Sequence, residues 1–282
     1  MRVRGWQYYN HAAIPFIPPH EAVNKLPLEN GDIWNVGGQK PMLARWTEEF
    51  DCDHETNWWY VIKDTPFDLS ALKAKRRYEI TKGNRNFEVK KIDPVMYAEE
   101  LYRVQVAAYS AWPEKYRPSI NKEEFVLSTA TWGPHVCIGA FSRESGELCG
   151  YAALLPWPGG TYVSFKRIQA DPRQEKHGVN AALVAGVLEH YDSFLRNGGY
   201  ICDGERNINH ETAFQDYLEK YFGFRKAYCQ LRIAYNPKMK WIIRLLYPFR
   251  KCLAGLDKIG IVHQVNAVLR MEEICRQGVP HK

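Results

Sequence analysis

The run Asp203-Gly-Glu-Arg-Asn207 carries two carboxylates that an extended chain places on one side. Paired in this way, Asp203 and Glu205 can raise one another's pKa towards neutrality and take a proton from an amine. They can equally be held as structure by Arg206, or by Lys166 and Arg167. Glu205 is the preferred base. His210 is the other candidate, because an imidazole titrates near neutral pH. Other chemistries find little support. There is no Gly-x-Ser-x-Gly elbow, no Walker loop and no Gly-x-Gly-x-x-Gly. The seven cysteines (52, 137, 149, 202, 229, 252, 275) are odd in number, scattered and free of any C-x-x-C pair, which fits reduced thiols. Cys52-Asp53-His54 lacks a second ligand pair at zinc spacing, so no metal is expected.

The chain that must position these groups has 282 residues, 38 Lys+Arg against 32 Asp+Glu, and 45% hydrophobic residues. That is the composition of a soluble globular protein with one large or two small domains. Its apolar runs fall far short of the roughly 20 residues of a spanning helix. Met1-Arg-Val-Arg is followed by no apolar core, so no secretory signal is visible and a cytoplasmic location is expected. A net charge of +6 favours anionic ligands such as phosphates or lipid headgroups without demanding nucleic acid.

Prolines and aromatics predict an extended segment over the first 30 or so residues, followed by short strands over 42–50 and 57–63. A short basic helix is predicted over 69–80. From Phe87 the pattern is regular. A strand over 87–92 precedes a helix opened by Pro94 and ending before Pro113, and a second helix covers 122–131. Strands over 135–142, 148–156 and 161–170, joined by turns of hairpin chemistry, predict three antiparallel strands in succession. A long helix over 178–196, a strand over 200–203, a helix over 212–221 and a strand over 226–235 complete the order.

That order resembles the GNAT superfamily of acyl-CoA-dependent acyltransferases. The resemblance spans about 150 residues and rests on element order plus one loop, Pro172-Arg-Gln-Glu175-Lys-His-Gly178-Val-Asn180. It keeps the family spacing Pro-x-x-Arg/Gln-x-x-Gly-x-Gly/Ala, with Glu175 and Asn180 in place of the usual residue types. The resemblance implies a mixed, mostly antiparallel α/β (α+β) sheet flanked by helices, with an N-terminal extension and C-terminal helices. It implies that acetyl-CoA or another acyl-CoA is the donor, its pyrophosphate held by Lys176, His177, Gly178, Val179 and Asn180 at a helix start. Its pantetheine arm would then run along Ile168, Gln169 and Ala170. Backbone N–H groups and a helix dipole can bind phosphate without the usual side chains, and Arg173, Lys176 and His177 add positive charge, whereas Glu175 brings a carboxylate. Many members place an Asn after the fifth strand, for which Asn207 or Asn209 stands here, and a Tyr that protonates the leaving thiolate. That Tyr precedes a Gly-Phe pair by four residues. Glu219 occupies the matching position before Gly223-Phe224, flanked by Tyr217 and Tyr221, and Tyr217 is the expected acid.

The basic helix and the stretch Tyr217 to Gly223 also look similar to the Fem-type branch, whose related domains handle peptidoglycan or polysaccharide substrates. The expectation is an extension over 1–86, an acyltransferase domain over 87–236 and a helical tail over 237–282. The expected activity is transfer of an acyl group to the amine of a small molecule or an envelope or polysaccharide precursor. Two rivals stand beside it. One is a non-catalytic GNAT-like binding protein; the other is an aminoacyl-tRNA-dependent transferase using Lys73 to Arg77 on RNA phosphates. Nucleic acid is otherwise not expected as a partner. In the tail, residues 238–251 form a basic amphipathic segment with an interfacial Trp241, suited to peripheral contact with an anionic membrane, to packing over the domain, or to a homodimer interface.

Overall fold

Asn10 and His11 both adopt positive φ (45° and 64°), the conformation of a two-residue hairpin turn, and they join two strands where prolines and aromatics predict only an extended segment. The computed structural model describes residues 2–3, 5–112, 114, 117–206, 213–256 and 260–278. In chain order it begins β1 (Arg2–Val3), β2 (Trp6–Tyr9), β3 (Ala12–Pro15), α1 (Leu26–Glu29), β4 (Leu43–Glu48) and β5 (Trp58–Lys63). There follow α2 (Ala74–Asn86), β6 (Phe87–Ile92), α3 (Ala98–Ser110), α4 (Lys122–Thr129), β7 (Val136–Ser142), β8 (Leu148–Pro156) and β9 (Tyr162–Ala170). The chain continues with α5 (Val179–His190), α6 (Asp192–Arg196), β10 (Tyr200–Glu205), α7 (Ala213–Phe222) and β11 (Arg225–Tyr235). It closes with α8 (Pro237–Leu246), α9 (Arg250–Ala254) and α10 (Gly260–Gln277). No described helix is long and apolar enough to cross a membrane.

Two units divide the chain. The first comprises Met1–Tyr60, Glu205–Thr212 and Lys226–Lys282, and the second Val61–Gly204 and Ala213–Arg225. These bounds follow contacts, whereas the sequence boundaries at 86 and 236 follow element order. By contacts α2 belongs with the second unit, and the helices after residue 236 belong with the first.

In the first unit β1, β2 and β3 are antiparallel, β3 runs parallel to β4, and β4 pairs antiparallel with β11 from Leu43↔Tyr235 to Glu48↔Gln230. Trp6, Ala13, Ile33, Val36 and Ala44 form one core cluster. Trp58, Cys229 and Leu231 form another, against which Met271, Ile274 and Cys275 of α10 pack.

The second unit's sheet runs β6-β7-β8-β9-β10, antiparallel up to β9 and parallel between β9 and β10. The three predicted antiparallel strands are thus present. One core cluster joins Leu101 and Val104 of α3 and Phe125 of α4 to Cys137, Phe141 and Tyr151 of the sheet. Another joins Val179, Ala182 and Leu183 of α5 to Phe87, Ala140 and Cys149. Eight of the twelve α5 residues are buried, because α2 covers the flank of α5 that the sheet does not. The single helix predicted over 178–196 is two, interrupted at Tyr191. The basic helix starts later than predicted, at Ala74, while Arg77 donates back to the carbonyls of Ser70 and Leu72 ahead of it.

One feature of the sheet bears directly on function. β9 pairs with β10 only over Tyr162↔Tyr200, Val163↔Ile201 and Ser164↔Cys202. Beyond Ser164, β9 continues to Ala170 with β8 on its other side, and the edge that faced β10 is released.

Candidate active site

Where β9 parts from β10, a cavity of about 1030 Å³ opens in the second unit. That lies at the upper end of the roughly 300–1,000 Å³ common for small-molecule sites. Its walls come from five elements and one connection. β9 supplies Ile168, Gln169 and Ala170, and the connection to α5 supplies Pro172, Glu175, Lys176 and Gly178. The α5 start adds Asn180 and Ala181, α7 adds Ala213, Phe214 and Tyr217, and the end of α3 adds Ala108, Ala111 and Trp112. The remaining wall is α2, through Lys75, Tyr78, Glu79 and Lys82.

The loop is built by its own short-range bonds. Asp171 accepts from the Arg173 N–H at 2.9 Å and Gly178 donates to the Glu175 carbonyl at 2.9 Å, so Pro172–His177 closes as a tight 3-10 turn. Gly178 has φ 89°, which a glycine adopts without strain, and its position demands a small residue as well. A Cβ there would stand 3.0 Å from Gly83 Cα, because α2 and this loop touch glycine to glycine. From α2, Lys82 Nζ donates to the Lys176 carbonyl at 2.7 Å and Asn86 Nδ2 to the His177 carbonyl at 2.9 Å. The loop carbonyls are thereby occupied, and no side chain caps the start of α5. The first-turn amides, including those of Asn180 and Ala181 at the cavity wall, are donors without intrahelical acceptors at the positive end of the helix dipole.

Lys75, Lys82 and Lys176 line the cavity, opposed by Glu79 and Glu175. Glu79 is paired with Arg76, whose guanidinium lies over the Tyr221 ring at 3.0 Å. Arg173 does not contribute to this wall. It pairs with Asp171 at 2.6 Å and lines a separate polar cavity of about 260 Å³ with Arg103 and Glu147. Among the described residues no group of three or more His, Cys, Asp or Glu could hold a metal.

Tyr217 lies among Phe214, Tyr221 and Phe222, stacked on the first with ring centroids 6.2 Å apart. Burial pushes its hydroxyl up to about 12, so it is a protonated donor throughout the neutral range. The two carboxylates of β10 have different fates. Gly204 between them has φ 117°, outside the extended range that strict alternation assumes. Glu205 pairs with Arg45 Nη2 at 2.5 Å. Asp203, one residue past the last β9–β10 pair, is half-buried, and desolvation raises its pKa to about 7 even though Gln215 of α7 hydrogen-bonds to it.

Of the residues singled out in the sequence, Ile168, Gln169, Ala170, Lys176, Gly178, Asn180 and Tyr217 are brought together at one cavity. Val179 is fully buried in the core, and the His177 backbone faces α2. Asp203 and Glu205 are not wall residues, although Asp203 is tied to α7 beside Phe214. Asn207, Asn209 and His210 lie outside the described residues. The α2 wall had no forerunner in the sequence reading; its one signal is Gly83, a glycine in a helix interior, whose reason is the loop it touches.

No protein-family model and no curated protein sequence matches the chain. Solved structures do resemble it. The crystal structure of FemX aligns over 78% of this chain and 78% of its own, at 9% identity and a TM-score of 0.50. L-PGS from Bacillus licheniformis aligns over 85% and 84%, at 14% identity and a TM-score of 0.49. The C-terminal DUF2156 domain of an Agrobacterium fabrum protein assigned as a lysylphosphatidylglycerol synthetase aligns over 85% and 82%, at 11% identity and a TM-score of 0.49. The chain has a GNAT-like α/β fold, a mixed and mostly antiparallel sheet flanked by helices, as its element order implied.

Proposed function

We propose that this chain is an acyl-CoA-dependent N-acyltransferase. The observation that carries the reading is the cavity at which the released edge of β9 meets the uncapped start of α5 and three lysines. A strand edge freed after Ser164 offers peptide groups to a pantetheine arm, and the amides of Asn180 and Ala181 suit a pyrophosphate. Lys75, Lys82 and Lys176 add positive charge around it. The donor, when bound, supplies the activated thioester. The chain's own groups then have to move two protons. Asp203, poised near neutrality, is the group we assign to take the proton of the attacking amine, and Tyr217 donates its O–H to the departing thiolate. The acceptor is an amine of a small molecule or an envelope or polysaccharide precursor.

An aminoacyl-tRNA donor would call on Lys73, Arg76 and Arg77. Two of these are engaged within the unit, Arg76 with Glu79 and Tyr221 and Arg77 with the Ser70 and Leu72 carbonyls, which favours the acyl-CoA reading. Calorimetric titration of acetyl-CoA and of longer acyl-CoAs into the wild type and into Asn180→Asp tests the proposal. Micromolar binding by at least one donor, weakened about five- to tenfold by the added charge at the helix start, is the expected result. Absence of binding by every acyl-CoA sinks it.

A further inference from the structure

Helix α8 is apolar on two sides, and the fold uses only one of them. Ile243 is 3% exposed and belongs to the core, with Met239 and Leu246 half-buried beside it. Trp241 and Leu245, one helical turn apart, are 70% and 69% exposed, Ile242 is 45% exposed, and Phe249 just beyond the helix is 57% exposed. A surface helix of a globular unit needs one apolar stripe; the second is unexplained by packing. The helix is well formed for its own reasons, with Asn236 accepting from the Met239 N–H at 2.9 Å and Pro237 in the first turn.

The segment that carries the outer stripe has charge of one sign along its sequence. No Asp or Glu occurs between Glu219 and Asp257, and residues 237–256 carry Lys238, Lys240, Arg244, Arg250 and Lys251. Arg250 is paired with Glu273 at 3.0 Å. Among the described residues, no carboxylate pairs with Lys238, Lys240, Arg244 or Lys251. On the helical wheel Lys238 and Arg244 border Trp241 and Leu245, so the stripe is rimmed by cations that can extend their ammonium and guanidinium groups outward. The protein core accounts for none of these outward groups. Indole and branched aliphatics at the centre, and at the rim cations that no carboxylate of the described residues pairs, Arg244 lying over the Trp241 ring at 5.8 Å, complement a bilayer surface rich in anionic phospholipid, where the apolar stripe enters the headgroup boundary and the cations meet phosphates.

We infer that α8 and the turn after it dock this protein on the surface of an anionic lipid bilayer, with Trp241, Leu245 and Phe249 inserted. The full chain should float with vesicles of phosphatidylglycerol and phosphatidylcholine in equal parts, bind pure phosphatidylcholine vesicles far less, and lose most of its binding in high salt. Trp241→Glu combined with Leu245→Glu should weaken binding to the anionic vesicles about tenfold or more while leaving the thermal unfolding midpoint unchanged, because both side chains are already exposed. A charge variant, Lys238→Gln with Arg244→Gln, should weaken anionic binding and leave the residual phosphatidylcholine binding as it is. Failure of the wild type to float with anionic vesicles overturns the inference. So does equal flotation of the double Glu variant, or a wild-type dimer that this variant splits while neither form binds vesicles, which would give the stripe to a second copy of the chain. None of these outcomes depends on acyl-CoA binding, so this inference and the proposed activity fail separately.

Discussion

Asp203 is the residue at which chemistry and stability make opposite demands. Desolvation holds its carboxyl at about 7, against 3.8 in an exposed peptide. Between those values the folded chain keeps a proton that the unfolded chain has released, so stability falls as pH rises through this window and levels off above 7. Asp203→Asn removes that penalty. Its thermal advantage over the wild type should be small near pH 4, grow up to pH 7 and stay constant above, reaching about 4 kcal/mol. The same substitution should lower kcat by about 10²–10⁴ and abolish the rise of the wild-type rate through pH 7, as measured in a pH profile with a fixed amine acceptor. A variant that keeps the wild-type rate and pH limb removes Asp203 from the role of base. Glu205, held by Arg45, is expected to matter less for the rate, and Glu205→Gln should leave the pH limb in place.

At the scale of elements, the contact of α2 with the loop before α5 sets helix propensity against packing. Alanine at a helix-interior glycine ordinarily gains about 1 kcal/mol. At Gly83 the new Cβ would lie 2.6 Å from the Gly178 carbonyl oxygen and 3.1 Å from Ala182 Cβ, and overpacking of this kind costs about 1–3 kcal/mol. The contact is to backbone on a rigid turn, so the cost should win. Gly83→Ala is expected to lower the denaturation midpoint and to weaken acyl-CoA binding, whereas a higher midpoint would show that α2 can retreat from the loop. Asn180→Asp at the same junction should separate the two effects. A carboxylate in the first turn of α5 suits the helix dipole and stabilises by about 0.3–1 kcal/mol, while the same charge repels a phosphate. A higher melting temperature with weaker acyl-CoA binding is the expected pair of results; tighter binding would place the anion elsewhere. These junctions also mark what the sequence could reveal. Strands β7 to β9 were legible because alternation and turn residues are local signals, and the Pro172 to Gly178 spacing announced the loop for the same reason. The hairpin of β2 and β3 was not, since Pro15 and the aromatics hide a pairing fixed by two positive φ angles at Asn10 and His11. Nor was the α2 wall, because the meaning of Gly83 lies in a residue 95 positions away. Alternation places the paired carboxylates on one side; the positive φ of Gly204 belongs to the backbone and has no counterpart in the alternation of side chains.

For the whole molecule, the path of the chain decides what can be removed. The first unit is completed by residues after 225, and its strand β11 pairs over Gln230–Tyr235 with the whole of β4. Residues 260–282 could be taken for a dispensable tail, yet α10 places Met271, Ile274 and Cys275 against Trp58, Cys229 and Leu231, and buries Leu269 to 2% exposure and Asn266 to the same degree. Tyr235 donates to Glu272 at 2.9 Å, Arg250 pairs with Glu273, and Asn57 donates to Gln277 at 3.1 Å, so the helix is held to three separate parts of the first unit. Losing the burial of three or four such side chains costs on the order of 5 kcal/mol, comparable to the entire stability of many domains. Two core clusters of the second unit, built from α3, α4, α5 and β6 to β8, contain among the described residues none beyond 225. A chain ending at residue 259 should therefore lose hydrogen-exchange protection in β4 and β11 while β7, β8 and β9 keep theirs. Equal protection in both sets of strands would show that α10 is an ornament of the first unit, and loss in both would show that the second unit does not hold its fold without the first.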